Sequence, residues 1–180
     1  MIILMGLAGS GKSTQGQMLA EATGRVWLSA GQVLRDTANA EIHELQRQGE
    51  LVPDAMTIPL MGEAITQVLA AGKDIVLDGY PRTAAQAEWL TGHVADKIEA
   101  VVRIIVPKAE LIQRMKLRGR ADDQSIEAIE ERFRLVEQNI YSVCEILQAK
   151  NIKIKDIDGV GTLEEVQTRL KQAITEVENE

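Results

Sequence analysis

The sequence predicts an α/β fold in which a five-stranded, mostly parallel sheet is flanked by helices. Three observations support this prediction. Short apolar runs alternate with segments of helical periodicity, the first apolar run leads directly into a glycine-rich turn, and no linker, repeat or low-complexity tract divides the chain. Because 180 residues can bury a sizeable core, we expect a single domain over residues 1–180.

The strands are predicted from apolar runs that end at turn residues. These runs lie at residues 2–5, 25–28, 74–79, 100–107 and 151–159. In the last run Ile152, Ile154 and Ile157 are interspersed with charged residues, which is typical of an edge strand with one face in solvent. Helices between successive strands favour parallel pairing, so ligands are expected beyond the carboxyl ends of the strands.

Two of the intervening helices carry clear boundary signals. One is predicted to begin at Thr57, with Pro59 in its first turn, and to end at Gly72. The last begins at a capping box formed by Thr162 and Glu165. Helical spacing is expected to turn the apolar residues of this last helix inward: Leu163, Val166, Leu170, Ile174 and Val177.

Composition excludes several functional classes. The net charge of −7 disfavours a nucleic-acid partner, and one cysteine excludes an internal disulfide framework or a cysteine-cluster zinc site. Cys144 falls on an apolar helical stripe and is predicted to be a core residue rather than a nucleophile. No apolar stretch is long enough to span a bilayer, and we expect no signal peptide because the first predicted strand starts at the first residues. We therefore expect a cytoplasmic monomer that acts on small molecules.

The segment GLAGSGKST, residues 6–14, fits the P-loop pattern G-x-x-x-x-G-K-[ST] between a predicted strand and a predicted helix. Glycines allow successive backbone N–H groups to point at an anion. Lys12 adds a positive charge, and the dipole of the following helix favours phosphate at its N-terminus. The alternative is a glycine-rich turn with a surface lysine.

The run IVLDGYPRT, residues 75–83, ends at the edge of the sheet where the P-loop is expected. Asp78 is the acid that a P-loop enzyme uses to hold Mg²⁺, directly or through water, beside the hydroxyl of Ser13. The alternative role for Asp78 is a helix cap. Arg82 follows a glycine and a proline, and a guanidinium aimed in this way suits a second phosphate, which points to a phosphorylated acceptor.

Five segments together resemble the nucleoside monophosphate kinases of the adenylate kinase family: GSGKSTQ, LSAGQVLR, GELVPD, DGYPRT and RGRADD. They span essentially the whole chain. The resemblance implies a P-loop three-layer fold with a helical monophosphate-binding flap at residues 29–52 and a short lid at residues 118–123. It also implies Mg²⁺-dependent phosphoryl transfer from ATP to a nucleoside monophosphate, with AMP expected first and UMP or CMP as alternatives.

The resemblance also implies roles for individual residues. For the ATP site it implies Gly9, Ser10, Gly11, Lys12, Ser13, Thr14, Arg114, Arg118 and Gly159. For the monophosphate site it implies Ser29, Ala30, Arg35, Glu50, Leu51, Val52, Gly79, Arg82, Gln86, Arg120 and Arg132. The catalytic set would be Lys12, Arg82, Arg118, Arg120 and Arg132, with Ser13 and Asp78 at the metal.

Some residues depart from the family pattern or leave alternatives open. Ala30 matches UMP/CMP kinases, whereas Thr83 and Gln86 match adenylate kinases. One extra residue between the lid and Arg132 makes Arg134 a competitor for the role of closing arginine. A GTPase is excluded because the chain lacks the guanine-reading Asn-Lys-x-Asp tetrapeptide. A P-loop kinase of a non-nucleotide metabolite, or a catalytically silent nucleotide-binding scaffold, remains an alternative.

Overall fold

The computed structural model describes residues 1–48, 50–118 and 125–179. Its sheet contains five strands in the order β2-β3-β1-β4-β5. The strands are β1 Ile2–Met5, β2 Val26–Ser29, β3 Ile75–Asp78, β4 Ala100–Ile105 and β5 Ile154–Asp158. All pairings among these strands are parallel, so the α/β fold is confirmed and the sheet is more regular than the mostly parallel one expected.

Helices cover both faces of the sheet. They are α1 Lys12–Thr23, α2 Ala30–Asp36, α3 Ala40–Gln48, α4 Asp54–Ala70, α5 Ala84–Val94, α6 Lys108–Arg118, α7 Ile126–Ala149 and α8 Leu163–Asn179. Strand β1 is buried along its whole length because it lies in the middle of the sheet with helices on each side. Strand β5 lies at the edge, as its alternation with charged residues predicted.

Successive residues of β1 point to opposite faces and enter different cores. Ile2 and Leu4 pack in a cluster with residues of α1, α6 and α8. Ile3 and Met5 pack in a second cluster with residues of α4, α5 and α7, and the half-buried Cys144 lies against this second cluster. Burial raises the pKa of the Cys144 thiol, which agrees with a packing role rather than a nucleophilic one.

A third, smaller cluster lies outside both sheet cores. Leu34 of α2, Ile42 of α3 and Val52 are its buried members, and we call them the flap cluster. Leu45, Met56 and Leu60 pack against it from α3 and α4. The segment that contains α2 and α3 therefore has its own small core.

The predicted start of α4 is wrong by one helical turn. The helix begins at Asp54 rather than Thr57, and Pro59 therefore lies in its second turn. The hydroxyl of Thr57 does not cap the helix but donates to the carbonyl oxygen of Val52 at 3.1 Å. At this position the proline removes one backbone hydrogen bond and its ring crowds the carbonyl of Ala55, yet the helix continues to Ala70.

The start of α8 is as predicted. Thr162 N donates to Glu165 Oε2 at 2.8 Å, and Glu165 N donates to Thr162 Oγ1 at 3.2 Å, which forms the reciprocal capping box. Val166 and Leu170 are buried as expected. Leu163 is 51% exposed and is not a core residue; it lines the cavity described below.

No helix in the described part of the chain combines the length and apolar character that a membrane span requires.

Candidate active site

A cavity with a volume of about 1280 Å³ opens at the carboxyl ends of the central strands. The parallel register places Ser29 and Leu4 next to Asp78, so the loops that follow β1, β2 and β3 meet at one edge. The P-loop forms one wall, α2 and α3 form the second, and the loop before α8 forms the third. This location agrees with the position expected for ligands of a parallel sheet.

The P-loop turns tightly into the N-terminus of α1. Gly11 is the N-cap residue and has a φ of 91°, a conformation that favours glycine. The ammonium of Lys12, at the first position of α1, donates to the carbonyl oxygen of Leu7 at 2.8 Å. Lys12 and the residues from Gly9 to Thr14 line the cavity. The first backbone N–H groups of α1, the dipole of that helix and the Lys12 side chain thus lie on one wall of the cavity, a combination that favours an anion.

Ser13 and Asp78 form a direct hydrogen bond at the base of the cavity. Ser13 Oγ donates to Asp78 Oδ2 at 2.7 Å, and Asp78 is only 3% exposed. Asp78 is not a helix cap, because α5 is capped by Thr83 instead. A hydroxyl and a carboxylate beside a phosphate site are hard oxygen ligands that suit Mg²⁺, with further ligands supplied by phosphate and water. Within the described residues there is no larger His, Cys, Asp or Glu cluster for a metal.

Arg82 is fixed by the turn that follows β3. Gly79 has a φ of 74°, and a Cβ at this position would lie 2.9 Å from Arg82 Nη2. The absence of a side chain therefore lets the guanidinium lie against the turn, where Arg82 Nε donates to the carbonyl oxygen of Gly79 at 2.8 Å. Arg35, from α2, lines the same cavity and donates to Gln32 Oε1 at 2.9 Å. Both guanidinium-bearing residues thus line the cavity that the P-loop lines, and they are the candidates for a second anion site.

The residues expected at the monophosphate site are only partly brought together. Ser29, Arg35, Glu50 and Arg82 line the cavity. Ala30, Leu51, Val52, Gly79 and Gln86 do not line it.

Burial and internal hydrogen bonds explain why residues of the second group do not line the cavity. Ala30 is 2% exposed and faces the sheet core, so the cavity side of α2 is formed by Gly31 instead. Val52 belongs to the flap cluster. Gln86 is 3% exposed, and both ends of its amide are bonded within the protein. In this structure Ala30 and Gln86 therefore present no group to a base in the cavity.

Helix α3 contributes cavity residues that the sequence analysis missed. His43, Gln46 and Arg47 line the cavity. Their spacing of three and four residues places them on one face of α3, next to the face that buries Ile42 in the flap cluster. This amphipathic spacing was the signal in the sequence.

Arg114 lines the opposite wall together with Gly159. Arg114 Nη2 donates to the carbonyl oxygen of Gly159 at 3.1 Å, and the guanidinium also pairs with Glu110 on the same helix. The sequence analysis missed the neighbouring residues at the start of α8. Thr162 and Leu163 line the cavity, and the exposed Leu163 adds apolar surface to its wall.

Part of the predicted site lies outside the described residues. This holds for Arg120, for the lid beyond residue 118, and for the side chains of Arg118 and Arg132. Their roles stay predictions. Arg134, the competitor for the role of Arg132, is exposed, pairs with Glu131 and does not line the cavity.

A phosphate-binding loop and a separate pair of arginines on one cavity are the arrangement of a P-loop kinase that joins two anionic substrates.

The model of the adenylate kinase family matches residues 4–152. The chain is 34% identical to an adenylate kinase of Micrococcus luteus, with 98% of this chain and 91% of that protein aligned. It is 36% identical to one of a Mycobacterium species, with 96% and 98% aligned. For one of Thermus thermophilus the identity is 31%, with 96% of each chain aligned.

The chain belongs to the adenylate kinase family. The prediction of a nucleoside monophosphate kinase is thereby confirmed. The comparisons give no better support to the UMP/CMP kinase alternative.

Proposed function

We propose that this chain transfers the terminal phosphoryl group of ATP reversibly to AMP, so that ATP and AMP give two ADP. The observation that carries the proposal is the pair Arg35 and Arg82 on the same cavity as the P-loop. A P-loop alone would bind one polyphosphate, whereas these arginines can bind a second phosphate. Membership of the adenylate kinase family supports AMP as the acceptor.

The donor phosphates would lie at the N-terminus of α1. There the backbone N–H groups in the first turn of α1, residues 12–14, would donate to them, and Lys12 would follow the charge of the group in transfer. Ser13 and Asp78 would hold Mg²⁺, directly or through water, and this ion, when bound, offsets charge on the phosphate oxygens. The donor base would lie between Arg114 and Leu163, where one wall is cationic and the other apolar.

The acceptor requires no general base, because its attacking oxygen is already an anionic phosphate oxygen. The main obstacle is repulsion between two polyanions in one cavity. Arg35 and Arg82 offset this repulsion by holding the α-phosphate of AMP in a fixed direction. We assign Arg118, Arg120 and Arg132 to the closed state, where they would add positive charge to the phosphates being joined.

Water exclusion is the second requirement, since water in the cavity would convert the enzyme to an ATPase. We propose that the flap at residues 29–52 and the short lid at residues 118–123 close over both substrates. Because the whole cavity is lined by a single chain, we also propose that the monomer is the active form and that it works on cytoplasmic nucleotides.

We propose that Gln46 makes the polar contact to the acceptor base. Its amide offers a donor and an acceptor on the cavity wall, which suits the amino group and N1 of adenine. Cytosine presents the same pattern as adenine, and uracil meets the amide once it turns by 180°, so CMP and UMP are expected to react detectably. GMP is expected to react more slowly than AMP, because its 6-oxo group and N1–H reverse the adenine pattern and also require the turned amide.

A panel of monophosphates, assayed with ATP and Mg²⁺, tests the proposal. We expect rapid ADP formation with AMP, slow reaction with UMP and CMP, and little phosphate release without an acceptor. Chelation of the metal should abolish transfer. A hundredfold preference for a pyrimidine monophosphate would contradict the proposal and favour a UMP/CMP kinase. Phosphate release that does not depend on an acceptor would contradict both kinase functions, because it indicates hydrolysis of ATP.

A further inference from the structure

Asp54 occupies the junction between the flap and the helix that carries the chain back to the sheet. It is the first residue of α4 and lies two residues after Val52, a member of the flap cluster. Its carboxylate does not line the cavity. Thr83 Oγ1 lies 2.9 Å from each of its oxygens, and Gln86 Nε2 donates to its Oδ1 at 2.8 Å.

The hydrogen bonds continue from Asp54 to the acceptor arginine. Gln86 Oε1 accepts from the backbone N–H of Arg82 at 2.8 Å. Thr83 Oγ1, which donates to the carboxylate, also accepts from the backbone N–H of Gln86 at 3.2 Å and so caps α5. Asp54 is thus bonded to both side chains that fix the start of α5, and Arg82 directly precedes that start.

The carboxylate also determines which way the Gln86 amide faces. An amide can turn by 180° and exchange its oxygen and nitrogen, but an acidic partner accepts and does not donate. With Nε2 directed at Asp54, the oxygen must face the Arg82 N–H. The reversed amide would place two donors against each other in a site where Gln86 is 3% exposed, which is costly for buried polar groups.

The positive ends of two helix dipoles lie near the Asp54 carboxylate. The carboxylate belongs to the first turn of α4 and contacts the N-cap residue of α5, so both helices direct their N-termini toward it. Tyr80 shares this environment, because burial and, to a smaller extent, the charge of Asp54 raise the pKa of its phenol. The site is therefore built around one negative charge.

We propose that Asp54 is a positioning residue for phosphoryl transfer, which holds Arg82 in the direction needed for the acceptor phosphate and links that direction to the end of the flap. The assignment rests on the proposed function. Asp54 touches no substrate and acts through Gln86 and Thr83. A shift of the Arg82 turn by about 1 Å would cost roughly tenfold to a hundredfold in rate.

The test compares the kinetic constants for the two substrates. Asp54→Ala removes both acceptor oxygens, and we expect kcat/KM for AMP to fall at least tenfold while the KM for ATP changes less than twofold. Asp54→Asn keeps one acceptor oxygen and should lose less than Asp54→Ala. Glu63→Gln is the matched control, because Glu63 lies on the exposed face of the same helix and accepts from Gln67 Nε2 at 3.0 Å. It should leave both constants unchanged.

A paired exchange separates positioning from simple loss of stability. Gln86→Glu alone sets two carboxylates against each other and should lower kcat/KM for AMP strongly. Combining it with Asp54→Asn restores the net charge and the hydrogen bond with its direction reversed, while the introduced carboxylate would still accept from the Arg82 N–H. We expect the double variant to recover at least tenfold over Gln86→Glu. This pair remains informative even if Asp54→Ala does not fold.

The assignment would be overturned if Asp54→Ala weakened AMP and ATP equally, or if the double variant were no better than Gln86→Glu, as expected if Gln86 reads the base directly. A wild-type chain that forms no ADP from ATP and AMP would overturn the proposed function and this assignment together. If the wild-type chain is active but Asp54→Ala leaves the kinetic constants for AMP unchanged, only the assignment of Asp54 is overturned.

Discussion

Replacing Arg82 with lysine keeps the charge at the second anion site but removes the planar fork. In the structure the guanidinium uses its Nε to bind the carbonyl oxygen of Gly79 at 2.8 Å, and Arg82 lines the cavity. A lysine has one ammonium group and cannot hold this anchor and a phosphate in the same geometry. We therefore expect Arg82→Lys to lower kcat/KM for AMP and to leave the KM for ATP nearly unchanged.

The size of the effect follows from the hydrogen bonds that the Arg82→Lys substitution removes. A hydrogen bond to a charged group contributes about 1.5–3 kcal/mol, and loss of one such bond corresponds to roughly a 10- to 150-fold fall in kcat/KM. Initial rates of ADP formation, measured with each substrate varied while the other is saturating, separate the constants. The matched control is Arg103→Lys, because Arg103 makes a planar two-point contact with Asp156 at 2.6 Å, outside the cavity.

The control should retain the kinetic constants of the wild type even if its melting temperature falls. The reasoning would be refuted if Arg82→Lys raised the KM for ATP while the constants for AMP stayed fixed. In that case Arg82 would belong to the donor site, and the assignment of the two anion sites would be inverted.

Three further predictions test the other parts of the site. Lys12→Ala is expected to lower kcat by about 10³, or about 4 kcal/mol, without loss of fold, and activity within tenfold of the wild type would contradict the P-loop assignment. Gln46→Leu should reduce the preference for AMP over UMP a few-fold to about tenfold in competition assays, because uracil reverses the adenine pattern that the amide meets. Gln48→Leu, on the same helix but off the cavity wall, should not reduce it. Replacing Arg118 and Arg120 together with alanine should slow kcat more than it weakens AMP binding, and an unchanged kcat would refute the lid role.

Sequence reasoning located the sheet and the P-loop because these depend on local patterns. A strand, glycines and a lysine at fixed spacing specify a tight turn into a helix, and the capping box at Thr162 and Glu165 involves only neighbouring residues. The link between Ser13 and Asp78 could also be anticipated, since parallel strands bring their carboxyl ends to one edge.

The acceptor side was harder to predict because it depends on the rotation of short helices. Nothing local in the sequence shows that Ala30 faces the sheet while Gly31 faces the cavity. The same holds for Gln86, whose motif suggests a base contact but whose amide is bonded to Asp54 and to Arg82. The Asp54 carboxylate, from a distant part of the chain, determines the orientation of the Gln86 amide, and a local sequence pattern does not predict such a contact.

The flap cluster has a consequence for how firmly the acceptor region is held. Among the described residues, the flap cluster buries only Leu34, Ile42 and Val52, whereas each of the two sheet cores buries many more apolar side chains. Opening this segment therefore costs less free energy than opening the sheet, and the segment can open while the sheet stays intact. Amide protons of α3 should exchange with solvent deuterium far sooner than those of β1. Bound monophosphate should slow the exchange, because part of the binding energy goes into holding this segment closed.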